Sequence, residues 1–96
     1  MKPSDRLNAH RDAIRAIVTA HRAANPRVFG SVARGEDTED SDIDILVDPD
    51  GRMTLFDLGA ILNELTELLG VEVDVVTPNG LPDKFRARVL AEAAPI

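Results

Sequence analysis

Apolar residues recur at helical spacing in three stretches of the chain and alternate with polar residues in two others. Leu7, Ile14, Ile17 and Val18 mark the first helix. It is capped by Ser4 or Asp5 with Pro3 just outside, and it runs to about Ala24 with Arg6, Arg11, Arg15 and Arg22 on the rest of its surface. Asn25-Pro26 closes it, because a residue before proline avoids the α region. The clearest amphipathic pattern is Leu55, Leu58, Leu62, Leu65 and Leu69, opened by Thr54 and Asp57 as a capping box and stopped by Gly70. This leucine stripe reads as core and is too short for a zipper. A last helix starts at Leu81-Pro82-Asp83, with Leu81 stapling against Phe85 and with Phe85, Val89 and Ala93 as its inward edge.

Alternation predicts the strands. Arg27-Val28-Phe29 is a short first strand, closed by Gly30, and Ser31 to Arg34 starts a helical turn. Asp42 to Asp48 is the second strand, with Ile43, Ile45 and Val47 facing a core and Asp42 and Asp44 on the opposite face. Pro49-Asp50-Gly51 is a turn. Val71 to Val76 is the third strand, with Val71, Val73 and Val75 on one face and Glu72, Asp74 and Val76 on the other. Thr77-Pro78-Asn79-Gly80 turns the chain before the last helix, and Ala94-Pro95-Ile96 ends it. The expected order is helix, strand, helical turn, strand, helix, strand, helix. That is an α/β (α+β) arrangement with a short mixed sheet of about three or four strands, read as one domain over residues 1–96.

Composition narrows the class. The chain has 96 residues and no cysteine, so it offers neither a disulfide framework nor a thiolate metal site, and a cytoplasmic location is expected. No apolar run is long enough to span a bilayer, and the N-terminus lacks the apolar core of a signal peptide. A net charge of −6 without tryptophan or tyrosine argues against a nucleic-acid backbone as the direct partner. It suits a metal ion or a basic protein surface, or simply keeps a small domain soluble. His10 and His21 are isolated and read as surface or boundary residues.

The candidate chemistry sits in the first two strands and the third. Gly30 and Ser31 form a turn whose backbone N–H groups suit phosphate. Asp42 and Asp44 arrive on one face of the next strand, and Asp74 stands mid-strand where aspartate is locally disfavoured. Carboxylates on neighbouring strands, about 4.8 Å apart, can reach two Mg²⁺ ions about 3.5–4 Å apart. Such a site would orient a nucleoside triphosphate for in-line displacement, with Asp74 as the base or metal ligand for an incoming hydroxyl. The loop from Glu36 to Ser41, with four acidic residues in six, reads as solvated. Gly30 and Gly35 have Walker spacing, but Glu36 stands in place of the lysine and no middle glycine serves a dinucleotide fold.

Gly30-Ser31 followed by Asp42-Ile43-Asp44 resembles the DNA polymerase beta-like nucleotidyltransferase superfamily. The fuller string Gly30-Ser31-Val32-Ala33-Arg34-Gly35 with Ser41-Asp42-Ile43-Asp44-Ile45 is similar to the minimal nucleotidyltransferase (MNT) antitoxins, across nearly the whole chain. The resemblance implies a small nucleotidyltransferase fold and a protein adenylyltransferase. Such an enzyme transfers AMP from ATP to a tyrosine hydroxyl of a cognate HEPN ribonuclease toxin and silences it. It further implies that Asp42, Asp44 and Asp74 bind the metals and that Gly30 and Ser31 hold the triphosphate. Arg34 would touch phosphate or brace the Glu36–Ser41 loop. ATP as the nucleotide rests on the resemblance. Two other readings stay open: an antitoxin that only occludes its toxin, and a nucleotidyltransferase with a small-molecule acceptor.

Overall fold

The computed structural model describes all 96 residues. In chain order the elements are α1 (Pro3–Ala9), α2 (Arg11–Ala20), β1 (Ala23–Phe29), α3 (Gly30–Arg34), β2 (Ile43–Pro49), α4 (Leu55–Leu69), β3 (Val73–Val76), α5 (Asp83–Glu92) and β4 (Ala94–Pro95). A 3-10 turn, Pro78–Gly80, leads into α5. The four strands form one mixed sheet in the order β3-β2-β1-β4. β1 runs antiparallel to both β2 and β4, whereas β3 lies parallel to β2. The mixed sheet flanked by helices is the expected class. No helix is long and apolar enough to cross a membrane.

β2 is the centre of the packing because it buries both faces. Ile43, Ile45 and Val47 join Leu7, Ile14, Val18, Ile61, Leu65 and Leu69 in the main core under α1, α2 and α4. Leu46, one step out of phase, packs with Leu81 and Val89 in a smaller cluster beneath α5. The strand's period of two therefore puts Asp44 and Leu46 on the same side. α5 covers Leu46 and leaves the Asp44 end open.

The N-terminal helix is two helices, interrupted at His10, and the first starts at Pro3 itself with Lys2 before it. The helical run ends well before the proline, since Arg22 takes a left-handed φ of 63° and the strand begins at Ala23. Ala23 and Ala24 pair with Pro49 and Asp48. An irregularity between Ala24 and Arg27 takes up Asn25, at φ 52°, and Pro26. A proline without an N–H is tolerated where the ladder is already broken. The sheet partner thus decides where the helix stops.

The leucine stripe needs a rotation. Ile61, Leu65 and Leu69, spaced by four, are the buried residues of α4, while Leu55 is 85% exposed and Leu62 is 40% exposed. The capping box forms as expected: the Thr54 N–H donates to Asp57 at 2.8 Å and the Asp57 N–H donates to Thr54 Oγ1 at 3.2 Å. Gly70 closes the helix at φ 68°. Phe85 is 42% exposed and is not an inward residue of α5; Val89 is. The chain end does more than terminate: Ala94–Pro95 adds a strand to β1, and Ile96 enters the main core.

The Glu36–Ser41 loop is only partly solvated. Asp37 is buried, and its carboxylate accepts the Ser4 N–H at 2.9 Å. Burial works to raise the Asp37 pKa, but the hydrogen bonding from Ser4 outweighs it and holds the carboxyl below its usual range. The loop is thereby anchored to the start of α1. His21 meets Glu64 of α4, and both it and His10 are half-buried, away from the carboxylates of β2 and β3.

Candidate active site

Gly30 sits where the chain turns from β1 into α3, at φ 72°. A side chain there would be strained twice. The backbone is left-handed, and a Cβ would stand 2.3 Å from Asp44 Oδ2. Antiparallel pairing places Phe29 opposite Asp44, which brings that carboxylate against the turn. Glycine is therefore what lets the Asp44 carboxylate lie on the peptide of the turn.

Parallel pairing of β2 with β3 sets Asp44 beside Asp74 in register. Asp42 precedes the strand by one residue, so it reaches the same end from the loop instead of from within the ladder. Burial, followed by the charges of Asp74 and Asp42, pushes the Asp44 pKa up to about 6. The three carboxylates predicted from the sequence are thus one electrostatic group, with Asp44 at its centre. They couple without converging: no three acidic or histidine side chains stand ready to enclose a metal ion.

Asp48, on the same face of β2, makes the contrast. Arg27 pairs with it at 2.5 Å and Asn25 donates to it at 3.1 Å. Asp44 forms no salt bridge, although it is half-buried. A buried charge without a counter-charge is costly to hold and marks a site more often than a strut.

Gly30, Ser31, Arg34, Asp42 and Asp44 line one open cleft of about 530 Å³, together with Arg88 and Glu92 of α5. Glu92 was not legible from the sequence. Its carboxylate accepts the Gly30 N–H at 2.8 Å and pairs with Arg34 at 2.9 Å. The Gly30 N–H and Arg34 hold its pKa below the usual range. A carboxylate therefore occupies the donors that the sequence reading reserves for phosphate. Arg34 also pairs with Glu36 at 3.0 Å, at the start of the acidic loop. Nothing local links position 92 to position 30; only the α5 polar face, Arg88 and Glu92 one turn apart, hinted that this helix carries more than an apolar edge. Asp74 is exposed and lines a separate groove between α4 and β3.

The sequence profile described as Nucleotidyltransferase domain matches residues 10–96. A protein of Methanocaldococcus jannaschii whose assigned name is protein adenylyltransferase is 40% identical over 90 residues, covering 94% of this chain and 97% of its own. The protein adenylyltransferase MntA of Thermococcus cleftensis is 38% identical over 87 residues, covering 82% of this chain and 88% of its own. Among solved structures, a minimal nucleotidyltransferase superposes with a TM-score of 0.87 at 45% identity, over 97% of this chain and 95% of that one. A toxin–antitoxin structure with AMP-PNP shares the fold at a TM-score of 0.74 and 20% identity, over 88% of this chain and 69% of that one. A mixed sheet that sets an Asp-x-Asp strand against a Gly-Ser turn, matched over nearly its whole length, places this chain in the nucleotidyltransferase domain family, as a nucleotidyltransferase of the minimal kind.

Proposed function

We propose that residues 1–96 form one nucleotidyltransferase domain that adenylylates a protein partner. It transfers AMP from ATP to a hydroxyl, by preference a tyrosine, of a cognate HEPN ribonuclease toxin, and so neutralises it. The observation that carries this reading is the in-register pair Asp44 and Asp74 beside the Gly30-Ser31 turn. The names of the relatives and the shared fold of a toxin–antitoxin structure with AMP-PNP support the nucleotide and the kind of partner.

The donor set fits divalent metal. Three carboxylates with no paired cation, one of them with its pKa pushed up to about 6 by burial and by its neighbours' charges, match the all-oxygen ligation of Mg²⁺. Asp42, Asp44 and Asp74 would hold the ions. When bound, Mg²⁺ supplies charge neutralisation on the triphosphate and the attacking oxygen. Ser31, Arg34 and Arg88 bind and orient the phosphates, and Gly30 joins them once Glu92 yields its N–H. The Asp74 carboxylate accepts the proton of the acceptor hydroxyl. The hydroxyl oxygen forms a bond to the α-phosphorus as the bond to the α,β-bridging oxygen breaks, and pyrophosphate leaves.

Intact masses of the protein and whatever co-purifies from its host, with and without ATP and Mg²⁺, test the reading. An AMP-sized increment on the partner, absent with Asp42→Asn, is the expected result. A partner inhibited equally by wild type and Asp42→Asn, with no mass gain, overturns catalysis in favour of occlusion.

A further inference from the structure

The second concavity of the molecule shares only Asp74 with the residues assigned to the nucleotide chemistry. It is a groove of about 760 Å³ between α4 and β3, lined by Gly59, Asn63 and Thr66 on the helix, by Glu72 just before the strand and by Asp74 on it. Three independent features of it converge. β3 is an edge strand, bonded only to β2, so the backbone groups of its other side are unpartnered in the sheet. The groove ends at Asp74, the carboxylate assigned above to the acceptor hydroxyl, and lies apart from the cleft that holds Gly30, Ser31 and Arg34.

Gly59 is the third feature. It stands in the interior of α4, where glycine is the poorest helix former after proline. Its φ is not left-handed, and a Cβ built on it meets nothing within 4 Å. Neither the backbone nor internal packing calls for glycine there. What a side chain would fill is the groove itself.

The charge of the groove that α4 helps to form is one-sided: Glu72 and Asp74 line it, and no lysine, arginine or histidine does. Phe56 and Leu62 add exposed apolar surface on the same helix. An extended segment with basic and apolar residues in alternation fits both: main-chain hydrogen bonds to the β3 edge, basic side chains toward Glu72 and Asp74, and apolar ones against Ala60 and Leu62 of α4. We propose that the α4–β3 groove docks an extended, basic segment of the acceptor protein along the β3 edge, with Gly59 kept small to admit its backbone and Asp74 at its end to meet the hydroxyl. This deepens the adenylyltransferase reading and rests on it for the identity of the occupant.

The test is a titration of the isotope-labelled full chain, without nucleotide, by a synthetic peptide alternating lysine and valine around a central tyrosine. Amide shifts are expected at 59–66 and 72–74, and Gly59→Leu should raise the peptide's Kd at least tenfold. That variant places its side chain in open space and improves helix propensity, so its melting temperature should not fall. Nucleotide affinity should be unchanged, because Gly59 is not part of the Gly30 cleft. Shifts confined to that cleft or to β4, no shifts at millimolar peptide, or equal affinity in Gly59→Leu overturn the proposal. Sedimentation showing a dimer that Gly59→Leu dissociates also overturns it, by making a second copy the occupant. The adenylyltransferase reading fails separately: peptide bound in the groove while no protein partner gains mass with ATP sinks that reading and leaves the groove standing.

Discussion

Asp44 keeps its proton to about pH 6 in the folded chain, against an ordinary value of 3.8, so its ionised form opposes folding at neutral pH. The sign follows from which state holds the proton. Between those two pH values the folded state binds more protons than the unfolded one, so stability falls as pH rises through that window and levels off above it. Asp44→Asn removes the charge and keeps the size. The gap of about two pH units, at ~1.4 kcal/mol each, corresponds to about 3 kcal/mol for a fully shielded group. Asp44 is only half-buried, and solvent screening brings the expected gain to about 1 kcal/mol. For a domain of this size that is a rise in melting temperature of about 4–8 °C. Urea denaturation at pH 4 and pH 7, both with chelator, measures it. The variant should match wild type near pH 4, exceed it at pH 7, and transfer no AMP. Equal or lower stability than wild type at pH 7 would refute the picture of Asp44 as an uncompensated charge held for chemistry.

Gly30→Ala should lose about 2 kcal/mol from the left-handed backbone and the contact with Asp44. Thermal melts should show the loss, and Asp44→Ala, which vacates the space, should recover part of it. Asp37→Asn should cost about 1 kcal/mol, since a charged acceptor of the Ser4 N–H is replaced by a neutral one. The wild-type advantage should be present at neutral pH and disappear as pH falls through the depressed Asp37 pKa, as read by denaturation curves at several pH values. Glu92→Gln keeps an oxygen acceptor for Gly30 but removes a negative charge from the cleft. ATP affinity by calorimetry should rise several-fold, and a weaker affinity would mean that Glu92 organises the cleft instead of competing with phosphate.

The periodicities of the chain determined the types and order of its main helices and strands, because helix and strand spacings are local properties of the backbone, but not the break at His10 or the closing strand Ala94–Pro95. The alternation Ile43, Ile45, Val47 against Asp42 and Asp44 was legible, as were the Thr54–Asp57 cap and the Gly70 stop. So was the association of a Gly-Ser turn with Asp42 and Asp44, which line one cleft with it, whereas Asp74 stands beside Asp44 through the β2–β3 pairing. Three other outcomes depended on partners remote in sequence. The helix ends at Ala20 and not near Ala24 because Ala23 and Ala24 pair with β2. The buried stripe of α4 runs through Ile61 and not Leu62, since leucines lie on both sides of the helix and only the sheet selects one. Glu92 reaches Gly30 across 62 positions of chain, a contact that no spacing encodes. The sequence by itself determined which side chains could do chemistry. Tertiary structure decided which of them lack a counter-charge, because the field at Asp44 and at Asp48 is set by what the neighbouring strands and helices place beside them.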